Sequence, residues 1–363
     1  MSKKYNVAVV GSTGAVGQEM VKMLSKRNFP VDNLFPFASA RSVGKKVNFN
    51  GKDYSVIELT KENIKKHASK IQLALFSAGA SVAKEFAPVF AEEGIFVVDN
   101  SSAFRMEKEI PLVVPEVNDY VLSKNTKIIA NPNCSTIQMV VVLNPIHKVA
   151  KIKRILVSTY QAVSGAGGKA MIELQKESQQ VLSQLSKLDN LITDDHKDFV
   201  FPQEEVKVFP RQIAFNLIPQ IDVFLDNMYT KEEMKMVNET RKIMNDPNIQ
   251  VSAQCVRVPV FRAHSETVWI ETEKKISPQE VREILSKAES VLVVDEPNSD
   301  KPEKRYPTPI DAANQQITFV GRIREDLSCE NGLVMWIVSD NLLKGAALNA
   351  VQILESMIKR GII

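Results

Sequence analysis

The chain is short of several things, and each shortage narrows what it can be. It has only three cysteines, Cys134, Cys255 and Cys329, odd in number and far apart, which argues against a disulfide framework and for a reducing compartment. It has no large excess of either charge, with Lys+Arg 46 against Asp+Glu 43 and a net charge of +3. That balance does not fit a nucleic-acid binder, although it suits small anions held by local Arg or Lys. No apolar run approaches the ~18 residues that a membrane span needs. The opening MSKKYNVAVVG runs directly into a strand and carries no secretory pattern. A cytoplasmic protein without membrane partners or a metal site is expected.

What is present is a two-part pattern. At 363 residues, with 44% hydrophobic and 25% charged, the chain exceeds one ordinary core and two domains are expected. YNVAVV, NLFPFASA, IQLALFSAG, IFVVDNSS and TKIIANPN read as strands, with helices following the first and third. The alternation predicts an α/β, Rossmann-like, doubly wound parallel sheet. From about residue 152 the strands cluster: IKRILVSTYQAVS, VSAQCVRVPVF, SETVWIETE, QITFVGRIRED and LVMWIVSD. They predict an α+β domain with a mixed, largely antiparallel sheet. A polar helix is expected over 170–191 and a charged one from TKEEMKMVNETRKIM. The expected division is residues 1–133 with the C-terminal helix 341–363, and residues 134–340.

GSTGAVG sets Gly11, Ser12, Thr13, Gly14, Ala15, Val16 and Gly17 at a strand-to-helix junction. Glycines there allow a tight turn and close approach of backbone N–H groups to a pyrophosphate, beside the positive end of a helix. An ordinary glycine-rich turn is the alternative. Ser77 and Gly79, closing a later strand, are candidates for the same cofactor. After the second strand, FASARSVGKK places Ser39, Arg41, Ser42, Lys45 and Lys46 where an NAD-binding chain has an acidic residue. Cations and hydroxyls there favour NADP.

In NPNCSTIQMVVV, Cys134 stands at the start of an apolar helix after a turn built by Asn131, Pro132 and Asn133. The helix end is expected to lower its pKa, and a thiolate beside a nicotinamide implies a covalent route. Taken alone, such a cysteine is more often structural; beside a dinucleotide motif it reads as a nucleophile. Of the histidines, His67, His147, His196 and His264, periodicity singles out none as the base.

GSTGAVG, DNSSAFR, VPEVN, NPNCST, YQAVSGAG, FNLIPQID, RVPVFRAHSE, YPTPIDA and FVGRIRED occur in one order along the chain. Together with FASARSVGKK, EEMK and NGLVMWIVSDNLLKGAALNAVQI, they resemble the aspartate-β-semialdehyde dehydrogenases nearly end to end. The resemblance implies NADPH-dependent reductive dephosphorylation of L-aspartyl-4-phosphate to L-aspartate-4-semialdehyde. That step belongs to lysine, diaminopimelate, threonine and methionine biosynthesis. It also implies Cys134 as nucleophile, His264 as acid and base, and Gln161 orienting the acyl group. Arg257 would meet the substrate carboxylate and Glu232 the amino group, with Glu233 the less favoured choice. Arg105, Asn133 and Lys235 would hold phosphate. Ser164, Gly165, Gly167 and Asn341 would adjoin the cofactor, and the chain would form a homodimer or homotetramer, with residues 175–191 a candidate interface. The alternatives are another acyl-phosphate reductase, such as an N-acetylglutamyl-phosphate reductase, and a redox sensor using Cys134.

Overall fold

Tyr5–Val10 is apolar and β-branched enough to be buried on both faces, and it forms the strand around which the first sheet is built. In the computed structural model, which describes residues 3–185 and 208–363, β1 (Tyr5–Val10) leads into α1 (Ala15–Lys26) and β2 (Val31–Ala38). A hairpin of β3 (Lys46–Phe49) and β4 (Lys52–Ser55) follows, then β5 (Ile57–Glu58) and α2 (Lys61–Ala68). Next come β6 (Leu73–Phe76), α3 (Ala80–Glu92), β7 (Phe96–Asp99), α4 (Pro115–Asn118) and β8 (Ile128–Ala130). The sheet order is β5-β2-β1-β6-β7-β8 and every pairing is parallel. The order reverses direction between β1 and β6, the point where such sheets bind ligands. Val7 and Val9 face one core with α1, while Ala8 and Val10 face another with α2 and α3.

The chain then enters α5 (Cys134–Ala150) and β9 (Ile152–Gln161), followed by α6 (Gly168–Leu185), α7 (Lys231–Ile243), β10 (Gln250–Arg257) and β11 (His264–Thr272). It continues through α8 (Pro278–Leu285), β12 (Val291–Val293), α9 (Pro309–Ala312), β13 (Thr318–Glu325) and β14 (Gly332–Ser339). The second sheet runs β10-β9-β11-β14-β13-β12. Its three central pairings are antiparallel and its two edge pairings parallel, so it is mixed and largely antiparallel. Ile155, Val268 and Met335 from its inner face share a core with Val140, Met236 and Val281 from α5, α7 and α8. The other face turns out Leu156 and half-buries Trp269 and Trp336. The polar helix is α6; the remainder of its expected span, 186–191, and His196 lie outside the described residues.

After β14 the chain returns to the first sheet. A π-helical turn, Leu343–Ala347, runs into α10 (Leu348–Lys359), whose Val351, Leu354 and Met357 pack with Met20 and Leu24 of α1. Lys344 in that turn is fully buried. Its Nζ donates to both Glu116 oxygens (2.7 Å each), to Asn349 Oδ1 (3.0 Å) and to Gln352 Oε1 (2.7 Å). Glu116 also accepts from Ser290 of the second sheet's edge, so the carboxylate of this ion pair also reaches the other half. Lys344→Met strands a buried carboxylate and is expected to destabilise the fold by about 3–5 kcal/mol. Replacing Glu116 with Gln in the same chain should recover much of the loss, and denaturant unfolding of the two variants measures both.

Candidate active site

Cys134 owes its place to the residue before it. Asn133 is the N-cap of α5, and its Oδ1 accepts from the backbone N–H groups of Ser135 (3.0 Å) and Thr136 (3.2 Å). The thiol therefore sits at the first helical position, on the wall of a cleft of about 370 Å³. Gly345 of the π-helical turn closes over it: a Cβ added there would stand 2.7 Å from Cys134 Cβ. Only glycine lets the two segments meet.

One face of α7 supplies the charges. Glu232, Lys235, Glu239 and Lys242 recur at helical spacing, and all four reach toward the cleft or the loop around it. Glu232 Oε1 accepts from Asn133 Nδ2 (2.8 Å) and Gln161 Nε2 (3.2 Å), and Oε2 accepts from Lys235 (2.9 Å). Burial works to raise its pKa, but Lys235 and the hydrogen bonds from Asn133 and Gln161 win and hold it down to about 2. Glu233 is turned away, completing a capping box with Thr230 and accepting from the Cys255 backbone. Of the two glutamates, only Glu232 lines the cleft. Glu239 Oε1 pairs with Arg105 Nη1 (3.0 Å) and Oε2 accepts from the Asn133 backbone (2.6 Å). Lys242 donates to the carbonyls of Arg105, Glu107 and Ile110, which fixes the loop that carries Arg105.

The opposite wall comes from the second sheet. Gln161 ends β9, Arg257 ends β10 and His264 begins β11. Arg257 Nη1 donates to the Ala162 carbonyl (2.8 Å). A Cβ on Gly165 would stand 3.0 Å from that nitrogen and 3.3 Å from the His264 ring, so this glycine leaves room for both. His264 is fully buried. Its Nδ1 accepts from the Ala162 backbone N–H (3.0 Å), which leaves the proton on Nε2, and Nε2 has no partner among the described residues. Burial and the nearby charge of Arg257 push its pKa down to about 3, so the ring is neutral at physiological pH. Ser164 bonds Asn341, whose Oδ1 also accepts from Ala263 (3.0 Å).

The glycine-rich turn has the geometry of a phosphate cradle. Gly11 has φ +82 and an added Cβ would meet the Ser77 backbone at 2.9 Å; one on Gly17 would meet Gly11 O at 2.1 Å. Gly14 caps α1, placing open N–H groups of that helix beside the turn. Thr13 Oγ1 lies 3.2 Å from Ser42 Oγ, so the turn and the loop after β2 form one edge. Arg41 and Ser39 are exposed on that edge, and residues 39–46 contain no carboxylate. Gly79 caps α3 at φ +88, and Gly167, at φ +93, precedes α6. These residues fit a dinucleotide.

One sequence expectation is overturned. The helix end does not make Cys134 acidic: burial, then the charge of Glu232, push its pKa up to about 12, against Arg105 and Arg257. Glu239, Lys242, Asp222 and Lys344 were missed. The only local signal was the polar stripe along α7 in a helix that also has buried apolar positions. Since a thiol with a raised pKa reacts through a small thiolate fraction, alkylation of Cys134 by iodoacetamide in the ligand-free protein should quicken about tenfold per pH unit between about pH 7 and 10. A plateau within that range would mean that the thiolate is already formed.

Two family profiles match: "Semialdehyde dehydrogenase, NAD binding domain" over residues 6–125 and "Semialdehyde dehydrogenase, dimerisation domain" over residues 143–344. The aspartate-semialdehyde dehydrogenase of Aquifex aeolicus is 54% identical over 361 residues, covering 99% of each chain. That of Bacillus subtilis is 47% identical over 364 residues, covering 100% of each. Among solved structures, aspartate semialdehyde dehydrogenase II of Vibrio cholerae complexed with ASA superposes with a TM-score of 0.89 at 45% identity, covering 99% of both chains. The Candida albicans enzyme with NADP matches with a TM-score of 0.70 at 25% identity, covering 99% of this chain and 100% of that one. With a cysteine at a capped helix start, a glycine cradle at the sheet's switch point and full-length identity of this order, the chain belongs to the aspartate-semialdehyde dehydrogenase family.

Proposed function

We propose that the chain converts L-aspartyl-4-phosphate to L-aspartate-4-semialdehyde and phosphate with NADPH, through a thioester on Cys134. The observation that carries the reading is the match between the cleft and the ends of an amino-acid acyl phosphate. Glu232 suits an α-ammonium group and Arg257 an α-carboxylate, while Arg105 and Lys235 flank the thiol where a phosphate would leave. Asn133 lines the same cleft and is assigned to the phosphate on this reading. Gln161, held between Thr159 and Glu232, is placed to orient the acyl oxygen.

Once its proton has passed to solvent, the Cys134 thiolate bonds to C4 as the bond from C4 to the phosphate oxygen breaks, and phosphate departs with the electron pair. The chemistry that NADPH supplies when bound is a hydride. The thioester carbon accepts hydride far more readily than a carboxylate, and the cysteine keeps the acyl group activated after phosphate has left. His264 enters neutral with its proton on Nε2, so it donates a hydrogen bond to the oxyanion of the tetrahedral adduct, whose electron pair re-forms the carbonyl as the C–S bond breaks and the thiolate leaves. Its lowered pKa leaves a neutral ring that acts as donor without prior titration near the ordinary histidine range.

NADP is preferred to NAD on this reading, because Arg41 and the Ser42–Thr13 pair meet a 2′-phosphate and no carboxylate opposes it. Residues 1–133 with 341–363 form the cofactor unit and residues 134–340 the catalytic and dimerisation unit. Support comes from α5, which packs in the core of the second sheet, and from α10, which packs on the first. The half-buried face with Leu156, Trp269 and Trp336 suits a homodimer, or one half of a tetramer. Cysteines that are free among the described residues fit a cytoplasmic site of action.

The reading is tested by following NADP reduction with L-aspartate-4-semialdehyde, with and without phosphate. Phosphate-dependent NADPH formation is expected, and its absence with this substrate would overturn the assignment. Cys134→Ala should lower kcat by at least about a thousandfold, and His264→Gln by about a hundred- to ten-thousandfold, with NADP binding retained. Arg41→Ala should raise the KM for NADP about tenfold while leaving that for NAD nearly unchanged.

A further inference from the structure

Lys235 has two anionic partners, and the reaction described above accounts for only one. Its Nζ donates to Glu232 Oε2 at 2.9 Å and to Asp222 Oδ2 at 3.0 Å. Glu232 is buried and held by two further donors. Asp222 is the looser partner: its side chain is 33% exposed, and it lines the same cleft as Cys134 and Arg105. Among the described residues its other oxygen accepts only from the next backbone N–H, that of Val223, at 2.9 Å. Its backbone sits at φ +69, in the left-handed region, where Asp and Asn are the best-tolerated side-chain-bearing residues. A left-handed, non-glycine residue with its carboxylate turned into a cleft fits a residue kept for what that carboxylate does there.

We infer that Asp222 is a positioning residue and counter-anion that competes with the phosphate group for Lys235 and so sets how tightly phosphate is held. The inference rests on the reading in which Lys235 binds phosphate. An ammonium has three hydrogens to donate, and two are committed to carboxylates. A phosphate oxygen takes the third or displaces the more exposed partner, Asp222. Either way the phosphate lies within an ion-pair distance of a carboxylate, whose repulsion is only partly screened in a cleft. The consequence is directional. In the biosynthetic direction phosphate is a product, and a dianion seated between Arg105 and Lys235 without a competing charge would leave slowly, at a stage that limits many enzymes. Asp222 weakens that seat while it keeps Lys235 from collapsing fully onto Glu232, the group that receives the substrate ammonium.

Asp222→Asn separates this role from a structural one. Asn tolerates the left-handed backbone, keeps an oxygen for the Val223 N–H, and turns an NH₂ group toward Lys235 in place of an anion. Initial rates of NADP reduction are measured with the full-length enzyme while inorganic phosphate is varied at saturating semialdehyde, and the reverse. The expected result is a phosphate KM lowered roughly fivefold, with the semialdehyde KM within about twofold of the parent and stronger inhibition by phosphate in the biosynthetic direction. A structural role would move both KM values and Tm together, and that result overturns the inference. Lys235→Met and Lys235→Gln, run beside it, keep the two readings apart. If they raise the phosphate KM about tenfold or more while Asp222→Asn leaves it unchanged or raised, the counter-anion role falls and the phosphate role of Lys235 stands. If folded Lys235 variants leave the phosphate KM unchanged, Lys235 does not bind phosphate and both fall.

Discussion

The side chain of Asn133 is the constraint on which the catalytic cleft depends. Its carbonyl oxygen ends the irregular chain and starts α5, which fixes Cys134 at the first helical position. Its amide nitrogen holds Glu232, and its backbone N–H is held by Glu239, which also carries Arg105. One residue therefore sets the nucleophile, the carboxylate proposed for the ammonium and, through Glu239, the guanidinium proposed for phosphate. Loss of a helix cap alone costs about 1 kcal/mol. Here the same change would also remove a donor from a buried carboxylate, which is the more expensive consequence. Asn133 sits on the strand-to-helix turn of the first sheet, while Glu232 and Glu239 belong to a helix of the second core. The site exists only where the two halves meet.

The second junction works by close approach rather than by charge at the reacting atoms. The chain leaves β14, makes the π-helical turn and returns to the first sheet as α10. Gly345 has to pass the cysteine with no side chain of its own. A π-helical turn widens the local backbone and is common at functional sites. Buried Lys344 anchors it from behind, and Asn349 continues the connection to Asn131, which reaches Asn100 beside the Arg105 loop. Packing of α10 on α1 thus holds the cleft as well as the cofactor sheet.

Much of this was legible in the sequence because it is local. Strand character, the glycine spacing and the turn ahead of Cys134 are written within ten residues, and both sheets follow from where apolar runs cluster. His264 was legible only through resemblance: periodicity singles out no histidine, and only the fold buries it behind Gly165. The thiol's ionisation was misread for a similar reason. A helix N-terminus is one element's contribution, whereas burial and the Glu232 charge arrive from residues about a hundred positions away. Asp222, Glu239 and Lys344 were invisible because each acquires its partner through tertiary contact. The stripe Glu232, Lys235, Glu239 and Lys242 was the one local trace, and it reads like the solvated face of any amphipathic helix that buries residues such as Met236 and Val237.

The charges in the cleft explain why the cysteine is held protonated without ligand. Arg105, Lys235 and Arg257 face Asp222 and Glu232 in the wall and Glu239 behind it, so little net positive charge remains to stabilise a thiolate. After burial, Glu232 is the largest opponent of Cys134 ionisation. In the proposed reaction the substrate's ammonium group pairs with that carboxylate. Whatever free energy Glu232 withdraws from the thiolate is then returned when the ammonium arrives, and by reciprocity the ionised thiol favours the ammonium-bearing ligand. An acyl phosphate without the amino group would meet the same thiol, the same Arg105 and the same Lys235, yet leave Glu232 uncompensated. Selectivity for an amino-acid substrate and ionisation of the nucleophile then have one electrostatic origin.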